Sequence, residues 1–148
     1  MRQNKNTVIF DLDGTLALID HRLKHIKNIK RKNWFRFFEE CDKDEPNIPV
    51  IEVCKSLFLS GHNIIIFSGR SAQVRSKTEE WLSKHEIKYN KLFMRPEKDY
   101  TPDEKLKETW LKEIDTGDIL CVFDDRQKVV DMWRKNNITC FQVAEGDF

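Results

Sequence analysis

The sequence predicts a doubly wound α/β domain, a parallel sheet with helices on both faces. Two observations carry that prediction. Of five short strand-like runs, three are apolar without the alternation of a half-exposed strand, the pattern of strands covered on both sides. Each run is separated from the next by a stretch with apolar residues at helical spacing, and strands joined that way pair in parallel. With 148 residues and 39% apolar composition, the chain can build one self-sufficient core but not two. Residues 1–148 are therefore expected to form a single domain.

Val8-Ile9-Phe10 is the first run, and Asp11 and Asp13 follow where the strand should be leaving its sheet. Residues two apart on an extended chain point the same way, so both carboxylates can aim at one spot while Gly14 turns the backbone behind them. Asp-x-Asp-Gly is also ordinary turn chemistry, so the residues downstream must give the pair its meaning. Composition shifts from Leu16 to Pro49. Six Lys or Arg (Arg22, Lys24, Lys27, Lys30, Arg31, Lys32) lie between His21 and Lys32 with Leu23, Ile26 and Ile29 three apart. This reads as a basic helical segment with an apolar side. It belongs to a small helical insert, about residues 18–48, expected over the mouth of the sheet. Trp34, Phe35, Phe37 and Phe38 either form the core of that insert or stack on a base.

Val50 to Ser60 reads as a helix, with Pro49 at its start and Gly61 as its stop. Asn63 to Phe67 is the second strand and ends in Ser68-Gly69-Arg70. Ser71 to His85 is the next helix, with Val74, Trp81 and Leu82 inward, and Lys91 to Met94 the third strand. Pro102-Asp103-Glu104 opens a helix with its acids at the favourable end, carrying Leu106, Trp110, Leu111 and Ile114 until Gly117 ends it. Ile119 to Phe123 is the fourth strand and stops at Asp124-Asp125. A helix over Val129 to Arg134, a last strand over Ile138 to Val143 and a short tail complete the chain. Trp81, Trp110 and Trp133 read as packing residues.

Three strands thus end in polar groups of different kinds, and in an open parallel sheet those ends face one crevice. Clustered carboxylates repel unless a cation lies among them, and a hard, oxygen-loving Mg²⁺ is the expected cofactor. A hydroxyl, a guanidinium and carboxylates around such an ion suit a phosphoryl group. A lysine should balance the acids, and Lys105 and Lys107 are both placed for it.

Asp11-Leu12-Asp13-Gly14-Thr15-Leu16, Ser68-Gly69-Arg70, the helix lysine and the strand ending in Asp124-Asp125 resemble the four motifs of haloacid-dehalogenase-like phosphohydrolases. The stretches Asp124 to Arg134 and Cys140 to Phe148 resemble, more closely, the 3′-phosphatase domain of bacteriophage-type polynucleotide kinase/phosphatase. The resemblance implies a Rossmannoid sheet of order 5-4-1-2-3, counting strands along the chain. It implies Mg²⁺-dependent phosphomonoester hydrolysis through an aspartyl-phosphate, with Asp11 as nucleophile and Asp13 as general acid and base, a neighbourhood rich in carboxylates keeping Asp13 protonated for part of the cycle. Ser68 would bind the phosphate. Matching the helix favours Lys107 as the motif lysine, Lys105 then being a solvated residue, with Asp103 in support. The metal ligands would be Asp11, the backbone carbonyl of Asp13 and Asp124, with Asp125 supporting. Arg22, Arg70, Thr15 and Gly69 would serve substrate binding. The substrate implied is the 3′-phosphate of a nucleic-acid end or nucleotide; the alternative is a 5′-(deoxy)nucleotidase acting on free nucleoside monophosphates.

Other classes find no support. Lys and Arg number 26 and Asp and Glu 25, a formal net charge of +1, so no global field declares a nucleic-acid or membrane partner. The Gly-rich loop of a kinase, G-x-x-x-x-G-K-[ST], has no match among Gly14, Gly61, Gly69, Gly117 and Gly146. Cys41, Cys54, Cys121 and Cys140 lack metal or disulfide spacing and read as reduced core cysteines. Met1 to Thr7 is polar and no apolar stretch approaches the ~20 residues of a spanning helix. A cytoplasmic location is expected, in the host cell if the chain is phage-encoded. The oligomeric state is not encoded in any pattern of the sequence.

Overall fold

Val8, Ile9 and Phe10 have no surface left exposed because the strand that carries them, β1 (Thr7–Asp11), has a strand on each side and helices on each face. The computed structural model describes residues 5–146. After β1 come β2 (Ala17–Leu18), α1 (Trp34–Glu39), β3 (Glu45–Pro46), α2 (Ile48–Leu59), β4 (Asn63–Ser71), α3 (Arg75–Lys84) and β5 (Lys91–Arg95). Then follow α4 (Asp103–Leu111), β6 (Ile119–Arg126), α5 (Gln127–Lys135) and β7 (Cys140–Gly146). The main sheet has the order β5-β4-β1-β6-β7 with every pair parallel. Numbered along the chain and read from the β7 edge, that is the expected 5-4-1-2-3.

The unbroken apolar runs divide by alternate residues between two cores. Val8, Phe10, Ile64 and Ile66 face Ile51 and Cys54 of α2 and Trp81 and Leu82 of α3. Ile9, Ile65 and Phe67 face the other way, onto Leu106 and Trp110 of α4 and Val129, Val130 and Trp133 of α5. Strands alternate in direction of side chain, and two apolar faces erase the alternation from the sequence. Connections before β5 therefore cover one face and those after it the other. The chain reverses its winding beside β1, which places a crevice at the carboxyl ends of β1, β4 and β6.

The insert departs from expectation. Its base is the two-residue antiparallel pair of β2 and β3, and the basic segment forms only a 3₁₀ turn over Asp20–His25. The turn closes as the amide N–H groups of Ile26 and Lys27 both donate to the Leu23 carbonyl. Asn28 then takes a left-handed conformation (φ 60°). Beyond the Asp20–Lys24 spacing, Lys27, Lys30, Arg31 and Lys32 carry like charge with no acid at i±4 to support a helix, and Asn favours turns. Ile26 is buried as its spacing suggested, but Ile29 is exposed. The aromatic quartet splits: Phe37 packs with Ile19 and Ile26 under α1, Phe38 joins from the edge, and Trp34 and Phe35 remain exposed.

Two strands run past their apolar residues. β4 continues through Ser68, Gly69 and Arg70, its register against β5 shifting between Ser68 and Ser71. β6 continues through Asp124 and Asp125 with a similar irregularity against β7. These bulged extensions re-aim side chains at the sheet's end, and helix α3 consequently starts later than Ser71. The four cysteines are buried and free, burial pushing the thiols of Cys54 and Cys140 up to about 12. Among the described residues no helix is long and apolar enough to cross a membrane. Asp147 and Phe148 of the closing motif lie outside the described residues, as do Met1 to Asn4.

Candidate active site

Asp11 ends β1 and is buried, and the extension of β6 brings Asp124 and Asp125 beside it, also buried. Ligand atoms of all three carboxylates lie within 4.8 Å of one another. Lys107, from α4, enters between two of them: its Nζ donates to Asp11 Oδ1 at 2.8 Å and to Asp124 Oδ2 at 3.0 Å. Lys105 is exposed, so of the two candidates Lys107 is the one that reaches the acids. Three acids against one ammonium leave the cluster short of positive charge. Burial pushes the Asp11 carboxyl well above the ordinary carboxylate range, with Asp124 adding to it, and burial pushes Asp125 up to about 6. The proton affinity of the Lys107 ammonium is raised as well: burial disfavours its charge, but Asp11 and Asp124 outweigh that and hold it charged.

Gly14 makes the cluster sterically possible. It has φ +84°, and a Cβ there would collide with the Asp125 carboxylate. Thr15 is fully buried and its hydroxyl donates to Asp11 Oδ2 at 3.0 Å, so it holds that carboxylate instead of facing the cleft.

Asp13 occupies a different setting. Its Oδ1 accepts from Arg22 Nη2 at 2.7 Å and from Arg70 Nε at 2.8 Å. Burial alone would raise its proton affinity, but the two guanidiniums hold it below the ordinary range. The expected carboxylate-rich environment is therefore that of Asp11, and arginines surround Asp13. Arg22 and Arg70, expected on substrate, are both fully buried. Arg22 also donates to both Asp44 oxygens and to the Phe37 carbonyl, and Arg70 to Asp44 Oδ2 and the Thr78 hydroxyl. A guanidinium committed in this way acts on Asp13 and has no surface to offer a substrate in this structure.

Asp44 ties the arginines together, and no sequence signal singled it out of the run Asp42 to Glu45. Its buried carboxylate takes Arg22, Arg70 and a 2.7 Å contact from His21 Nε2. Ser68 is buried, its hydroxyl accepting the Arg70 amide at 3.2 Å. Gly69 lines the cleft, and a Cβ there would lie 2.6 Å from Asp103 Oδ1, so its smallness admits Asp103. Asp103 in turn accepts from Arg95 and Arg126. Trp133, read as packing alone, also donates its indole N–H to Asp124 Oδ2 at 3.2 Å.

A cavity of about 650 Å³ opens above these groups. Asp11, Asp13, Lys107, Asp124 and Asp125 line its floor, and Trp34, Phe35 and Tyr100 line it from the insert and from the loop before α4.

Comparison with known proteins places the chain in a family. Residues 5–148 match the family described as the polynucleotide kinase PNKP phosphatase domain. A protein of Autographa californica nuclear polyhedrosis virus, named as a bifunctional polynucleotide kinase/RNA ligase, is 37% identical over 142 residues, 93% of this chain and 19% of its own length. Among solved structures, one of a Pnkp1/Rnl/Hen1 complex is similar with TM-score 0.83 and 37% identity, covering 97% of this chain and 47% of the other. Another, of the Pnkp1/Rnl/Hen1 RNA repair complex, gives 0.81 and 38%, covering 97% and 44%. A haloacid dehalogenase-like hydrolase of Streptococcus pneumoniae shares the fold at TM-score 0.56 and 11% identity, covering 95% and 85%. The chain thus spans about a fifth of the curated relative and under half of the two solved relatives.

Proposed function

The chain belongs to the PNKP phosphatase domain family of haloacid-dehalogenase-like phosphohydrolases, and from that premise we propose that it removes the 3′-phosphate from nucleic-acid ends or nucleotides in a Mg²⁺-dependent reaction. The observation that carries this reading is the trio Asp11, Asp124 and Asp125 at the floor of an open cleft, balanced by Lys107 alone. Buried acids with raised proton affinity and too little positive charge fit a divalent cation. Asp11 and Asp124 would hold it with Asp125 in support. Bound there, Mg²⁺ supplies charge neutralisation and polarises the phosphoryl oxygens.

The side chains divide the remaining work. An Asp11 oxygen attacks phosphorus, forming the aspartyl-phosphate as the bond from phosphorus to the 3′ oxygen breaks. Asp13 gives its proton to that oxygen, and the freed alcohol leaves. Asp13 then takes a proton from water, whose oxygen attacks phosphorus and releases inorganic phosphate and the Asp11 carboxylate. The arginines make Asp13 an ionised acceptor in the free site, suited to the second half. An arriving phosphate dianion raises its affinity for the proton needed in the first. Lys107 and Thr15 fix the attacking carboxylate in orientation.

Side-by-side kcat/KM values for a 3′-phosphorylated oligonucleotide, a nucleoside 3′-monophosphate and a nucleoside 5′-monophosphate test the substrate. The 3′-phosphates are expected to lead. A tenfold advantage for the 5′-monophosphate, about 1.4 kcal/mol of transition-state discrimination, would overturn the assignment in favour of a nucleotidase.

A further inference from the structure

Trp34 is 40%, Phe35 66% and Tyr100 88% exposed, and all three line the cleft that ends on Asp11 and Asp13. Among the described residues one other large aromatic side chain, Phe141, is comparably exposed, and it lies outside the cleft. Bare aromatic surface gathered at one site from two separate segments, instead of being scattered, marks a binding surface.

The insert holds its share of that surface in a fixed orientation. Asn33 caps α1, its side chain accepting the Arg36 amide at 3.1 Å. Phe37 meets the Trp34 ring edge-on at 5.5 Å between centroids, and Phe38 lies beneath at 6.0 Å and 28°. Phe38 also packs against the main core, so the Trp34 ring is anchored to the sheet. Phe35, next in sequence, has no ring contact of this kind and points its apolar surface outward.

Cations accompany the rings. The Lys32 ammonium sits 5.6 Å from the Trp34 ring centroid, and Lys98 and Lys128 line the same cleft. The exposed Lys30 and Arg31 continue from Lys32. Flat apolar surface flanked by cations is the combination that single-stranded nucleic acid uses: bases stack, and backbone phosphates follow the positive charge. A peptide without acidic side chains or an uncharged lipid would leave the cations unused, and a paired end keeps its terminal base stacked within the duplex.

We propose that Trp34, Phe35 and Tyr100 form a stacking subsite for the unpaired terminal base of the strand whose phosphate reaches Asp11, with Lys32, Lys98 and Lys128 facing its neighbouring phosphates. This deepens the 3′-phosphatase reading and rests on it for the placement of the phosphate. The subsite selects single-stranded or frayed ends without reading their sequence, since every base presents a stacking face.

The test compares a short 3′-phosphorylated oligonucleotide with the same chain ending in a base-free tetrahydrofuran residue. The ratio of kcat/KM with and without the base is expected to be roughly tenfold or more in the unaltered protein and to fall by about that factor in Phe35→Ala and Tyr100→Ala. Both positions are exposed enough for the fold to survive. Binding to Asp11→Asn gives a second readout without turnover. Trp34 is exposed while Trp81, Trp110 and Trp133 are at most 7% exposed, so a base-bearing oligonucleotide should quench tryptophan fluorescence, and Trp34→Phe in that background should abolish the quench. A ratio near one in the unaltered protein, a ratio unmoved by both substitutions, or a quench that survives Trp34→Phe overturns the subsite. If 5′-monophosphates prove the better substrates, the 3′ reading fails. The stack is then decided separately, by the quench and by turnover of a nucleoside 5′-monophosphate relative to ribose 5-phosphate.

Discussion

Asp11 and Asp13 leave one strand two residues apart, yet the fold gives them opposite surroundings. Asp11 meets two further carboxylates and one ammonium, contributed by β6 and α4. Asp13 meets two guanidiniums, contributed by the insert and the extension of β4. The same side chain is driven toward proton retention in one place and toward ionisation in the other, and the difference lies wholly in which elements arrive from each side. Paired titratable groups pushed apart in this way are how one site supports both a nucleophile and a proton carrier.

Replacing each acid by its amide breaks the comparison most directly. Asp11→Asn should lower turnover by at least about 10⁴-fold and Asp13→Asn by about 10²- to 10⁴-fold, measured on a 3′-phosphorylated substrate with saturating Mg²⁺. Stability should move in opposite directions. Without divalent cation, Asp11→Asn relieves crowded charge and raises the melting temperature, whereas Asp13→Asn strips a partner from two buried guanidiniums and lowers it. A shift of the same sign in both would show that their surroundings are not opposed.

The arginine side depends on Asp44, so Asp44→Ala should remove its organisation at one stroke. Two buried cations would lose one of the two carboxylates they share, at a cost of about 3–5 kcal/mol read by urea unfolding. Asp44→Asn retains part of the hydrogen bonding and should cost less. An effect near zero for Asp44→Ala would mean that the network is not fixed in solution.

The acid side should show itself in the response to pH. Asp11 and Asp125 bind protons more tightly folded than unfolded, so their contribution is fully present below the unfolded pKa, about 3.8, and is lost as pH rises through the folded value, about 6 for Asp125. Metal-free protein should therefore gain stability from these groups as pH falls from 7 toward 5. Stabilisation by Mg²⁺ should shrink over the same interval, because protons compete for the ligands. Asp13 has the reverse sign: its contribution is present above the unfolded pKa and is lost as pH falls through a lower folded value. Thermal melts between pH 4 and 8, with Mg²⁺ and with chelator, measure both. A Mg²⁺ increment independent of pH would break the assignment of the trio as a cation site.

The sequence by itself determined the five strands, their layered helices and the acids at the strand ends, because burial on both faces writes an unbroken apolar run and the change to polar residues marks where it stops. It did not determine where those strands end, since β4 and β6 keep pairing through polar residues by backbone hydrogen bonds that carry no compositional mark. Helical spacing of Leu23, Ile26 and Ile29 suggested a helix where a 3₁₀ turn forms, since spacing is blind to repulsion among the cations from Lys27 to Lys32. Motif order predicted that Asp11, Asp124 and a lysine would meet; only the packing of α4 turned Lys107 inward and left Lys105 in solvent. The partners of Arg22 and Arg70, and the importance of Asp44, were decided by tertiary structure alone. Asp44 lies 31 residues after Asp13 and 26 before Arg70, and a contact made by folding the insert back over the sheet leaves no local pattern in the chain that makes it.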